Sequence, residues 1–297
     1  MKDQIKRLAK ERNAIILAHN YQPANIQDIA DLCGDSLEMS IKAAATDADI
    51  IVCCGVKFMA ETAAILSPDK IVLMPNPEAG CPMADMVTPE ALVKRKAELN
   101  GIPVITYVNS SAAVKAVSDI CCTSANVVKV VNALDADKVL MTPDRNLAEY
   151  AAANTDKEIH LWEGYCPFHN ALTVDDIKAA KATHPDALFI AHPECRPEIL
   201  ELADAIESTS GMIRFAGESD AKAFILGTEN GLLHPIAKAH PTKTFYPASE
   251  KLVCTDMKKT TLAHIVNSLE TLSGRIFVPE DIRIKALGAV QKMINMK

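Results

Sequence analysis

The chain has 297 residues, 49% of them hydrophobic and 23% charged, with a formal net charge of −7. That is ample material for a core, suggests roughly two domains of about 150 residues, and argues against a nucleic-acid binder or a ligand of anionic membranes, which carry a basic excess. No stretch approaches the roughly 18 apolar residues that span a bilayer, and Met1-Lys2-Asp3-Gln4 opens a charged segment rather than a signal peptide, so a cytoplasmic location is expected, with no nucleic-acid and no membrane partner. Nine cysteines, an odd number that includes the adjacent pairs Cys53-Cys54 and Cys121-Cys122, fit a reducing compartment better than a disulfide framework. Cys33, Cys53, Cys54, Cys121 and Cys122 read as small buried hydrophobes.

In chain order, residues 4–12 read as a helix and 14–18 as a short buried parallel strand. That strand ends at His19-Asn20-Tyr21-Gln22-Pro23, where open α/β sheets bind ligands. Helical patterns cover 26–32 and, after Gly34-Asp35-Ser36, the stretch to residue 45. A strand at 50–54, a helix at 58–66 and a strand at 71–74 lead to a loop carrying Cys81. The same order recurs. Thr88 caps a helix with Pro89 at its first position. A strand at 103–107 ends at Tyr107-Val108-Asn109-Ser110. Helical patterns then reach Asp119 and, past Thr123-Ser124, cover 125–134. A strand at 138–141, a helix at 146–154 and a strand at 159–162 precede the loop with Cys166. The third pass starts at the cap Thr173. Its strand at 187–191 ends at His192-Pro193-Glu194-Cys195, a helix leads to Asp204, and strands at 223–227 and 244–247 precede Cys254. A helix at 260–272, an apolar run at 275–278 and an amphipathic helix from Pro279 form a tail.

The register is regular. Seventeen residues separate His19 from Ser36, Tyr107 from Ser124 and His192 from Thr209. Asp31, Asp119 and Asp204 each precede that hydroxyl by five. From hydroxyl to cysteine the steps are 45, 42 and 45 residues. This is an internal triplication of about 85 residues, too long for a solenoid repeat and suited to a compact three-stranded α/β unit. The expected fold is α/β: three homologous three-layer α/β/α domains with short parallel sheets around a pseudo-threefold axis. The units are 1–86, 87–171 and 172–257, with 258–297 packed on the first.

Such symmetry brings the loops of Cys81, Cys166 and Cys254 to one centre. Structural zinc sites are closed by four protein ligands, and a [4Fe–4S] cluster normally takes four cysteines. Three thiolates leave one iron open for water or substrate, a catalytic arrangement in which that iron acts as a Lewis acid. His169, in a C-x-x-H spacing with Cys166, is either a fourth ligand or a substrate contact. His19 and His192 end strands at matched positions, and Tyr21 and Tyr107 stand beside them. Ser36, Ser124 and Thr209 read as helix N-caps, and a helix N-terminus with a hydroxyl also binds carboxylate or phosphate. Three such positions suggest a substrate with several anionic groups. Arg145 either pairs with an acid or holds an anion; Lys258 and Lys259 read as a solvated face.

Ten motifs in order resemble the quinolinate synthase family: Ala18-His19-Asn20-Tyr21-Gln22, Gly34-Asp35-Ser36, Phe58-Met59-Ala60-Glu61, Cys81-Pro82-Met83-Ala84, Tyr107-Val108-Asn109-Ser110, Thr123-Ser124-Ala125-Asn126, Pro143-Asp144-Arg145-Asn146-Leu147, His192-Pro193-Glu194-Cys195, Gly227-Thr228-Glu229 and Met257-Lys258. The resemblance covers essentially the whole chain. It implies a [4Fe–4S] cluster on Cys81, Cys166 and Cys254 with one open iron, at the bottom of a central cavity. It implies condensation of iminoaspartate with dihydroxyacetone phosphate to quinolinate, phosphate and water, a step of de novo NAD synthesis, and a functional link to the enzyme that supplies iminoaspartate. By motif, Tyr21 and Glu194 would be the acid/base residues. His19, Ser36, Tyr107, Asn109, Ser124, His169, His192, Glu194 and Thr209 would hold carboxylates or phosphate. Two positions depart from the pattern: Lys57 where an acid is expected and Tyr165 where His is expected. The other readings are a different iron–sulfur dehydratase, or a non-catalytic iron–sulfur sensor, which would have no need of Tyr21 and Glu194.

Overall fold

The computed structural model describes residues 1–296. Among them, three four-stranded sheets, all parallel, share one strand order. The first holds β1 (Ala14–His19), β2 (Leu32–Gly34), β3 (Ile50–Cys54) and β4 (Ile71–Leu73), in the order β2-β1-β3-β4. The second repeats it with β5 (Val104–Tyr107), β6 (Ile120–Cys122), β7 (Lys138–Thr142) and β8 (Glu158–Leu161). The third uses β9 (Leu188–Ala191), β10 (Ala205–Ile206), β11 (Ala223–Gly227) and β12 (Thr244–Pro247). The chain is therefore α/β with helices flanking parallel sheets, as the strand–helix alternation predicts. The unbroken apolar runs of β3 and β9 are what strands covered on both faces require.

One expectation is corrected. Each sheet has four strands rather than three. The missed ones, β2, β6 and β10, are two or three residues long, too short to show a period of two. The helices expected just before them are single turns, Ala24–Gln27, Ala112–Lys115 and Pro197–Leu200. The repeated aspartates explain how such short strands hold. Oδ2 of Asp31, Asp119 and Asp204 accepts the backbone N–H of Ile16, Val104 and Phe189 at 2.8, 2.8 and 2.7 Å. The amide of each aspartate donates back to the carbonyl of that same strand residue. Every first strand is thus clamped to the start of its edge strand.

One large apolar core runs through all three sheets, and three smaller clusters cover their outer faces. We propose division of the chain at residues 86 and 171, between successive sheets. In the tail, Leu262–Thr271 rests on the helix Lys2–Glu11. Residues 274–276 extend the first sheet beside β4, with Met74 N–H donating to Gly274 O and Ile276 N–H to Val72 O. Gly274 is obligatory there: its φ is +75° and a Cβ would collide with the Met74 carbonyl. The last helix, Glu280–Asn295, lies across the helices Ser36–Ala45 and Lys57–Leu66 of the first sheet and across β6 of the second. Asn126 Nδ2 donates to the Met293 carbonyl at 3.2 Å to fix it.

Replacing Asp204 with Ala removes one strand-amide acceptor and should lower the stability of the metal-free protein by about 1 kcal/mol, read as a lower urea midpoint. An unchanged midpoint would show that the clamp is dispensable.

Candidate active site

The first strand of each sheet has its neighbours reached by crossovers in opposite directions, so its carboxyl end is the switch point where α/β sheets open a crevice. The three crevices merge into one cavity with about 740 Å³ of atom-free space, partly open to solvent. Every residue expected from sequence lines it: His19, Tyr21, Ser36 and Cys81; Tyr107, Asn109, Ser124, Cys166 and His169; His192, Glu194, Thr209 and Cys254.

The three cysteines are free thiols. Burial pushes Cys81 up to about 12, Cys254 up to about 11, and Cys166 well above the usual range. Against this, each sulfur accepts backbone N–H groups two or three residues ahead: Met83 and Ala84 for Cys81, His169 for Cys166, Asp256 and Met257 for Cys254. Amides aimed at sulfur favour the thiolate, the form that binds metal. A second donor group is present: ligand atoms of Cys166, His169 and Glu194 lie within 4.8 Å of one another.

A chain of short contacts crosses the cavity floor. Tyr21 Oη and Thr228 Oγ1 are 2.6 Å apart. Thr228 Oγ1 lies 2.9 Å from His169 Nε2, and His169 Nδ1 lies 2.8 Å from Glu194 Oε2 and 3.2 Å from Cys166 Sγ. Tyr107 Oη donates to Glu194 Oε1 at 2.5 Å. With Nδ1–H donating to the carboxylate, Nε2 accepts from Thr228, whose oxygen accepts from Tyr21. Burial opposes the charge of Glu194, but His169, His192 and the hydrogen bonds from His169 and Tyr107 outweigh it and hold the carboxyl below its usual range. Burial and Glu194 push both tyrosines well above theirs, so they keep their protons. Burial, with Glu194 close by, pushes Asp144 well up.

His19 and His192 are built alike. Nδ1 of each accepts the amide two residues on, Tyr21 at 3.2 Å and Glu194 at 3.3 Å. That leaves Nε2–H as a donor. Burial lowers each imidazole to about 3, so both stay neutral. Ser36, Ser124 and Thr209 are not N-caps. The caps are Asp35, Asn126 and Ser208. Ser36 and Thr209 open their helices, and the preceding residue satisfies the helix amides, so neither hydroxyl serves as a cap; Thr209 Oγ1 accepts from Asn20 Nδ2 at 2.9 Å, which leaves its O–H to donate. Asn109 Oδ1 is buried without a partner among the described residues, as suits a group awaiting a ligand.

Residues 256–259 strap the site together. Asp256 Oδ1 accepts the Gly80 amide, and Lys259 Nζ donates to Glu78 O. Gln22 Nε2 donates to Met257 O, and Lys258 Nζ donates to Tyr21 O and to Glu229. Glu229 in turn accepts the Cys254 amide at 3.1 Å. Lys258 is therefore not a solvated face: it joins the Tyr21 loop to the Cys254 loop. Among the described residues Arg145 has no ion-pair partner and does not line the cavity; its guanidinium lies 4.9 Å over the ring of Tyr165. Lys57 is exposed at the start of its helix. Thr228 and Glu229, in the motif Gly227-Thr228-Glu229, have no role legible in the sequence, because nothing local distinguishes a strand-end threonine that bridges a tyrosine to a histidine 59 residues away.

The family model described as "Quinolinate synthetase A protein" matches residues 3–295. The quinolinate synthase of Geobacter metallireducens is 56% identical over 294 residues, covering 99% of this chain and 97% of the relative. That of Methanoregula boonei is 52% identical over 296 residues, covering 100% and 98%. That of Dehalococcoides mccartyi strain CBDB1 is 53% identical over 293 residues, covering 99% and 97%.

The two neutral imidazoles carry a pH signature. Between about 3 in the folded protein and the 6.5 of an ordinary imidazole, the unfolded chain binds more protons than the native one, so stability falls as pH drops through this window. The urea midpoint of the metal-free protein should decline below pH 6.5, and less steeply in His192→Gln; an equally steep decline in that variant would contradict the buried neutral ring.

Proposed function

Because the chain belongs to the quinolinate synthetase A family, we propose that it is a quinolinate synthase of de novo NAD biosynthesis, condensing iminoaspartate with dihydroxyacetone phosphate to quinolinate, phosphate and water. That it is an enzyme of this type follows from the family. The observation that carries the reaction is a single cavity receiving one thiol from each of three sheets beside a hydrogen-bonded chain linking two tyrosines. A cytoplasmic location and a link to the enzyme that supplies iminoaspartate belong to the same proposal.

The donors fit a [4Fe–4S] cluster on Cys81, Cys166 and Cys254: three free thiols on one cavity, each with backbone amides turned toward its sulfur. Bound there, the cluster would supply a Lewis-acidic iron that polarises a substrate oxygen. The protein's own groups do the rest. The Nε2–H groups of His19 and His192, the hydroxyls of Ser36, Ser124 and Thr209, and the side-chain N–H of Asn109 hold carboxylate and phosphate oxygens with neutral dipoles, while Asn109 Oδ1 accepts from a substrate N–H or O–H. Tyr21 Oη exchanges a proton with the substrate; Thr228 passes it to or from His169 Nε2, and Glu194 stabilises the charge that His169 gains. Tyr107 holds the Glu194 carboxylate in line. A second reading, a single divalent ion on Cys166, His169 and Glu194, has the 4.8 Å spacing in its favour. Against it, both His169 nitrogens already have partners.

Cys81→Ser, Cys166→Ser and Cys254→Ser should each lose iron and activity after anaerobic purification, while Cys33→Ser keeps both. Full iron content in any of the first three would remove it from the ligand set, and stoichiometric zinc in the wild type would favour the single-ion reading. Tyr21→Phe should keep wild-type iron content and lose turnover by about 100-fold or more; normal turnover would discharge Tyr21 from proton transfer.

A further inference from the structure

The three single helical turns end at matched places, each eight residues past His19, Tyr107 or His192. The residues there are Gln27, Lys115 and Leu200, all buried. Gln27 and Lys115 each reach back five residues to a carbonyl of the strand-end loop. Gln27 Nε2 donates to Gln22 O at 2.7 Å, and Lys115 Nζ donates to Ser110 O at 2.5 Å. Leu200 has no donor, and its turn forms all the same. A polar group at this place is therefore no requirement of the turn, and burying one costs free energy unless it is hydrogen-bonded. What the donor serves is the loop it reaches.

Gln27 reaches furthest. Its Nε2 also lies 3.0 Å from Asn20 O and 3.0 Å from Gly231 O. It thus holds the carbonyls on both sides of Tyr21, while Lys258 Nζ takes the Tyr21 carbonyl between them. Gly231 belongs to the turn after β11 that also bears Thr228, whose Oγ1 meets Tyr21 Oη at 2.6 Å. One turn of the third sheet therefore holds Tyr21 at both ends: at its hydroxyl through Thr228 and at its backbone through Gln27. The seat is close-fitting, since a Cβ at Gly231 would stand 2.8 Å from the Tyr21 carbonyl carbon. Gln27 itself is 6% exposed and does not line the cavity.

We propose that Gln27 is a positioning residue for Tyr21. By seating the backbone from Asn20 to Gln22 against Gly231, it fixes where the Tyr21 hydroxyl stands relative to Thr228 and the substrate. The proposal rests on the reading above in which Tyr21 exchanges a proton with the substrate. A shift of about 1 Å at a reacting group costs up to about 100-fold in rate, so a loosened seat acts on turnover before it acts on binding.

The test uses the loaded enzyme, purified anaerobically, as wild type, Gln27→Leu, Tyr21→Phe and the double variant. Gln27→Leu takes the residue that the third turn already carries. It should keep wild-type iron content, lower kcat by about 10-fold or more and leave KM for both substrates within about twofold of wild type. In the Tyr21→Phe background the same change should cost nothing further, because it acts through the hydroxyl. Gln27→Glu, of the same shape without the amide donor, replaces Gln27→Leu if circular dichroism shows the latter unfolded. Wild-type kcat in the Gln27 variant, a loss of kcat matched by a loss of iron, or an equal loss with and without the tyrosine hydroxyl overturns the role of Gln27 and leaves the reaction standing. A wild type that forms no quinolinate from the two substrates overturns the reading on which that role rests.

Discussion

A carboxylate buried where three sheets meet must be satisfied by donors, and Glu194 takes its own from a neighbouring sheet. It is 4% exposed, and Tyr107 and His169, its side-chain partners, belong to the chain around the second sheet. Its carbonyl also accepts from Asn146 Nδ2 at 3.0 Å. An unmet charge at this depth would cost several kcal/mol, so the second and third sheets are held in the one relative position that satisfies it. The strap at 256–259 and the Tyr21–Thr228 contact do the same for the first and third sheets. Site and scaffold are therefore not separable: the groups suited to moving protons also fix how the sheets meet.

The cavity is built largely from neutral donors. Its two strand-end imidazoles are uncharged, its tyrosines keep their protons, and the hydroxyls of Ser36 and Thr209 sit at helix starts already capped by the preceding residue. For a substrate with several negative groups this has a physical advantage. Neutral dipoles bind an anion without the desolvation penalty that a lining of lysines or arginines would carry, and without trapping it. A cation stands at the cavity's seam, where Lys258 is locked onto Glu229.

Much of this was legible in the sequence because three copies of one unit repeat their chemistry in register. Equal steps from strand end to hydroxyl marked His19, Tyr107 and His192, and from hydroxyl to cysteine marked the three thiols, so convergence followed from symmetry. The repeated aspartates were visible too, but as a pattern without a meaning, since a carboxylate that accepts a strand amide leaves no local trace. Strands β2, β6 and β10 were hidden by their shortness. The caps at Asp35 and Ser208 were hidden beside a second residue able to cap. What joins one copy to another, as Thr228 and Lys258 do, breaks the repeat and so had no period to reveal it. Lys258 in particular resembles any surface lysine until the fold brings Tyr21 against it.

The final helix, Glu280–Asn295, has a bearing on how the molecule is born. It lies across the first and second sheets yet is made after all three, so a later piece of the chain holds the earliest ones together. A ribosome delivers the first two sheets long before this brace exists, and Cys254 and its strap also emerge late. Domains fold as they are synthesised, but here the centre cannot close until the third sheet and the segment bearing Cys254 have been made. A chain cut short near its end would have most of its secondary structure and all three thiols, yet it would lack the brace across two of its three sheets.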